Sequence, residues 1–82
     1  MKKDDVMKYI EDVLLNELSI ELISPSQEAF VRESGVDSVS LMALTVYLEN
    51  KYGIVGDDIF VNYDNDIKFI DIINLVLRQI KE

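Results

Sequence analysis

Apolar residues fall into three blocks with helical spacing, separated by two stretches where that rhythm breaks. In the first block Val6, Ile10, Val13, Leu14 and Leu18 recur three or four apart, on one face of a helix that Asp4 or Asp5 could cap. The second block runs from about Ser38 to Tyr52 and stops at Gly53, a residue suited to a helix C-terminus. The third follows "NYDND" and sets Ile67, Ile70, Ile73, Leu77 and Ile80 on one face, with Asn65 or Asp66 available as its cap. Its basic residues Arg78 and Lys81 lie in the last turn, where the helix dipole favours them. No alternating run is long enough to predict a strand, so the pattern describes a single all-α domain over residues 1–82.

The two breaks differ in kind. Residues 19–36, "SIELISPSQEAFVRESGV", make a connection longer than helical bundles usually carry, and Pro25 stops the first helix from running on. Ile20, Leu22, Ile23, Phe30 and Val31 give this loop apolar anchors, so it is expected to lie on the core, with one helical turn within residues 26–32. The second break, "VGDDIFVNYDND", predicts a short helix from about Asp57 to Asn62 with Ile59 and Phe60 turned inward.

The middle block departs from ordinary amphipathicity. At about 100° per residue, Leu41, Leu44, Leu48 and Tyr52 form a core face, while Val39, Met42 and Val46 form a second apolar stripe bordered by Ser38 and Glu49. A small domain cannot easily bury both, so the second stripe is expected to be exposed and to serve docking. Ahead of it, Gly35 can take positive φ, Asp37 suits the N-cap, and Ser38 then stands at the positive end of the dipole. A phosphate ester at Ser38 would be stabilised there, although an Asp-Ser pair alone is ordinary capping.

Composition removes several function classes. The 82 residues include no cysteine and no histidine, so disulfides, thiolate chemistry, imidazole bases and the cysteine and histidine metal ligands are missing. An enzyme could still be built from the carboxylates, with a thin toolkit. A net charge of −8 opposes binding to nucleic acid or anionic membrane and favours a partner with a basic patch. The N-terminal "MKKDDVMKYIEDV" lacks the apolar run of a signal peptide or membrane span, so a cytoplasmic monomer is expected.

The motif "GVDS" followed by "LMALTVYLENKYGI" resembles the serine-bearing helix of acyl carrier proteins. The order of the elements is similar too, with a first amphipathic helix, a long anchored loop, the serine-headed helix, a short third helix and a closing one. The resemblance implies a four-helix bundle of acyl-carrier type with three longer helices. It implies that a phosphopantetheinyl transferase would attach 4'-phosphopantetheine from coenzyme A to Ser38, with Asp37 helping to seat the domain on that enzyme. A thiol would thus reach a chain without cysteine, and the resemblance implies a carrier, not an enzyme, whose tether takes acyl thioesters to acyl-transferring and synthase enzymes of fatty-acid, polyketide or related secondary biosynthesis. By position Val39, Met42 and Val46 match the family's apolar contacts and Glu49 one of its acidic ones. Ala43 and Asn50 stand where carriers of fatty-acid synthesis usually have acids, which points to a polyketide, peptide or related secondary pathway and to partners with basic or apolar docking patches.

Other readings are weaker. Counted from Asn62, the acidic "NYDNDIKFIDI" puts Ile67 and Ile73 where a calcium loop needs Gly and Glu, so no metal site is expected. The glycines match no phosphate-binding loop, and the tyrosines do not interleave with bases. An aminoacyl, peptidyl or D-alanyl carrier and an unmodified helical interaction module remain the alternatives.

Overall fold

The computed structural model describes residues 3–23, 26–57, 59 and 67–80. Three helices carry the fold: α1 from Lys3 to Asp12, α2 from Ser38 to Tyr52 and α3 from Phe69 to Gln79, with no sheet among the described residues. The long loop joins α1 to α2, and α1 packs chiefly against α3. One core serves all of it: Val6, Ile10 and Leu14 meet Leu41, Leu44 and Leu48 and Phe69, Ile72, Ile73 and Val76, all fully buried.

α1 is already helical at Lys3, so Asp4 and Asp5 sit in its first turn and neither is the cap. There their charges still favour the N-terminal dipole. Beyond Asp12 the helix widens into a π turn over Val13–Glu17, keeping Val13 and Leu14 buried while Leu15 turns outward. Ser19 then takes a left-handed conformation, φ 56°, and the chain leaves the helix.

The loop does lie on the core, through its predicted anchors Val31, Ile20 and Leu22 and through backbone bonds. Val31 N–H donates to Ile67 O (2.9 Å), Phe69 N–H to Ala29 O (3.1 Å) and Ile70 N–H to Gln27 O (2.8 Å). The last two satisfy amides that a helix start leaves without intrahelical partners. Val31 is fully buried, Ile20, Leu22 and Phe30 are half-buried, and Ile23 is exposed, contrary to its expected role as an anchor. The helical turn is a 3-10 turn over Arg32–Ser34, which shares only Arg32 with the expected span of residues 26–32 and lies mostly past it.

This docking sets the phase of α3. Lys68 pairs antiparallel with Phe30, which keeps its backbone extended (φ −104°, ψ 162°) and delays the helix to Phe69. Lys68 is therefore the N-cap residue in place of Asn65 or Asp66, and the Asp71 carboxylate accepts from Lys68 N–H at 2.9 Å. The buried stripe becomes Phe69, Ile72, Ile73 and Val76, whereas Ile70, Leu77 and Ile80 of the predicted face are only half-buried. The predicted short helix from Asp57 to Asn62 lies largely outside the described residues, as do Phe60 and Lys81; Ile59 is fully buried.

Candidate functional site

The start of α2 is built by two turns of opposite purpose. Gly35 ends the 3-10 turn in the left-handed region, φ 103°, and its N–H donates to Arg32 O at 3.2 Å. A side chain there would be strained by the backbone conformation alone. Val36 is fully buried and ties the chain to the core, so the next residue leaves it in extended conformation (Asp37 φ −84°, ψ 179°). Asp37 Oδ1 accepts from Ser40 N–H at 2.8 Å, the N-cap bond expected of it. The Ser40 amide, joined by the Ser40 hydroxyl and the Val39 amide, holds the Asp37 carboxyl below the usual carboxylate range.

Ser38 is the first residue of α2 and is exposed, beside the only acid in this part of the helix. Its hydroxyl lies at the positive end of a helix of 15 residues, whose C-terminus is closed by Gly53 in the left-handed region at φ 68°.

Both apolar faces of α2 are present. Leu41, Leu44 and Leu48 are fully buried, and Tyr52 is half-buried. Thr45 completes the inner face, its hydroxyl donating to Leu41 O at 2.8 Å, so its polar atom is satisfied inside the helix. On the other side Val39 is 72%, Met42 58% and Val46 53% exposed. The long loop therefore leaves this second stripe uncovered. Met42, Ala43, Thr45 and Val46 line a shallow open depression closed by Glu49 and Asp57.

Glu49 does not sit on this surface as a free acid. It is half-buried, and its Oε2 accepts from Gly56 N–H at 2.7 Å. The structure thus brings Asp37, Ser38, Val39, Met42 and Val46 to one exposed face and turns Glu49 toward the segment after α2. Neither the Glu49–Gly56 bond nor the role of Thr45 was read from the sequence; a glycine shortly after the helix's own terminating glycine was the available signal for the first.

Among the described residues no group of three or more acidic side chains is placed to hold a metal ion. No helix among them is long and apolar enough to cross a membrane. No known protein family, curated protein or solved structure matches the chain.

Proposed function

We propose that this chain is a carrier of acyl groups, with Ser38 as the attachment point for a phosphopantetheine arm. One observation carries the reading: an exposed serine heads α2, capped by Asp37, and an uncovered apolar stripe of Val39, Met42 and Val46 runs away from it on the same helix. The residues present fit such a group, since the site is open enough for an enzyme to reach the hydroxyl and the helix N-terminus favours a phosphate ester. When bound, the arm supplies the thiol that holds an acyl group as a thioester. The chain's own part is to present and to be recognised. Asp37 fixes the first turn, so the exposed Ser38 hydroxyl can act as the nucleophile, forming an O–P bond to the pantetheine-side phosphate of coenzyme A as the pyrophosphate P–O bond breaks and adenosine 3',5'-bisphosphate leaves. The stripe supplies area for the enzymes that must approach it. In this reading the bundle is of acyl-carrier type, and the enzymes it serves belong to fatty-acid, polyketide or related secondary biosynthesis.

The uncovered stripe by itself also suits a helical interaction module without a prosthetic group. Incubation with coenzyme A and a phosphopantetheinyl transferase of broad specificity separates the two. The expected result is a mass gain of one phosphopantetheine group on the wild-type chain and none on Ser38→Ala. An unmodified wild-type chain across several transferases overturns the carrier reading. Charging with acyl or aminoacyl donors then distinguishes an acyl carrier from a peptidyl or D-alanyl one.

A further inference from the structure

At the far end of the exposed stripe, the segment after α2 is fastened from two sides. From α2, Glu49 Oε2 holds the Gly56 amide at 2.7 Å. From α3, Gln79 makes a two-way amide pair with Val55, accepting from its N–H at 2.9 Å and donating to its carbonyl at 2.8 Å. Gly56 is buried between them. A Cβ there would overlap Thr45 Cγ2 and would stand 2.9 Å from the Glu49 carboxylate oxygen. The fastening brings Asp57 to the rim of the depression beside Met42 and Val46.

The charge around this depression is one-sided. From Ser38 to Leu48 α2 has no charged residue at all. Its single base, Lys51, lies with Nζ 5.4 Å over the Tyr9 ring of α1, and Lys68 covers the Phe30 ring at 5.1 Å. Exposed acids stand at both ends of the stripe, Asp37 at the start and Asp57 at the rim.

We infer that Glu49, which the resemblance makes an acidic contact for partners, is instead a positioning residue that shapes the docking face through Gly56, leaving the apolar stripe and the rim acids Asp37 and Asp57 to meet the partner's apolar patch and its cations. The inference rests on the carrier reading and reassigns one residue of the docking face which that reading needs. A half-buried carboxylate already bonded to a backbone amide has little to offer an incoming cation, whereas three uncovered apolar side chains offer area. A second copy of the chain is a poor occupant because each copy brings a net charge of −8.

The test treats the apo chain as substrate of a broad-specificity phosphopantetheinyl transferase, reading KM and kcat at low and high salt, with amide hydrogen exchange at Gly56 alongside. Met42→Ser is expected to raise KM about tenfold with kcat unchanged, as loss of a central apolar contact does. Glu49→Gln retains an oxygen to accept from Gly56, so it should keep that amide protected and hold KM within about twofold of wild type. Glu49→Ala should unprotect the Gly56 amide and raise KM by roughly threefold or more, with Gln as the rescuing variant. High salt should raise the wild-type KM by no more than about threefold, because only rim charges are screened.

Glu49→Gln raising KM as far as Met42→Ser would overturn the inference, as would Glu49→Ala exposing Gly56 without changing KM. A concentration-dependent dimer abolished by Met42→Ser would replace the partner with a second copy and overturn it too. A wild-type chain that is never modified removes the carrier reading and this inference together, which is distinct from a modified chain indifferent to these variants.

Discussion

The two faces of α2 carry side chains of nearly the same kind and meet opposite fates. Leu41, Leu44 and Leu48 are fully enclosed, whereas Val39, Met42 and Val46, one to three positions away, keep more than half their surface in solvent. Burial of an apolar side chain is worth about 25 cal/mol per Å² removed from water, so the outer face forgoes a gain that the inner face collects. Neighbours decide which face gains. α1 and α3 are available on one side, and among the described residues no element covers the other. α3 contrasts with both, since its exposed side holds Asp71, Asn74, Arg78 and Gln79. An apolar face left uncovered on α2 but not on α3 points to a demand on α2 other than stability.

The largest effect should come from breaking the enclosed face. Leu44→Ala removes a fully buried side chain and leaves a cavity, at a cost of about 2–5 kcal/mol in unfolding free energy. Met42→Ala, one turn's edge away and exposed, should stay within about 0.5 kcal/mol of wild type. Urea titrations of the two variants check the contrast directly. A comparable loss in both would mean that the outer stripe is covered in solution.

The sequence told the two faces apart only through geometry, because both read as apolar. The 100° spacing separated Leu41, Leu44 and Leu48 from Val39, Met42 and Val46, and the ends of α2 were legible because Asp37 and Gly53 are local signals. The phase of α3 was not legible. It is set by Lys68 pairing with Phe30 and by Gln27 and Ala29 accepting from Ile70 and Phe69, contacts some 40 residues apart in the chain that no local spacing encodes. Ile23 misled for the converse reason: an apolar residue needs a surface to cover, and Ile23 finds none, its N–H donating to Ser34 O while its side chain stays exposed. In the candidate site Ser38 and its cap were readable from four residues. The turning of Glu49 away from the surface depends on where Gly56 returns, and seven residues of separation hide that.

Between the two faces in size of effect lies the seam where the following segment closes on α2. Gly56→Ala places a Cβ against Thr45 Cγ2, and the backbone must move to admit it. Overpacking of this kind costs about 1–3 kcal/mol. The same substitution should loosen Glu49 from the Gly56 amide and so reach the outer face, while leaving the Leu41–Leu48 face in place. Thermal unfolding measures the first effect and hydrogen exchange along residues 53–57 the second. Unchanged exchange there would separate the seam from the docking face.

The smallest effect distinguishes charge from capping at the head of the helix. Asp37 is exposed, and the amides it accepts from lower its pKa in the folded chain relative to the unfolded one. A depressed carboxylate pKa adds stability that is fully present above the unfolded value and is lost as pH falls through the folded one. Asp37→Asn keeps a capping oxygen but has no charge to titrate. Wild type should therefore melt slightly above Asp37→Asn at neutral pH, and the gap should close on acidification below the ordinary carboxylate range. Neither variant touches the buried leucines, so their shared dependence on pH from other groups cancels in the difference. A gap that persists in acid would assign the contribution of Asp37 to the shape of its cap and not to its charge.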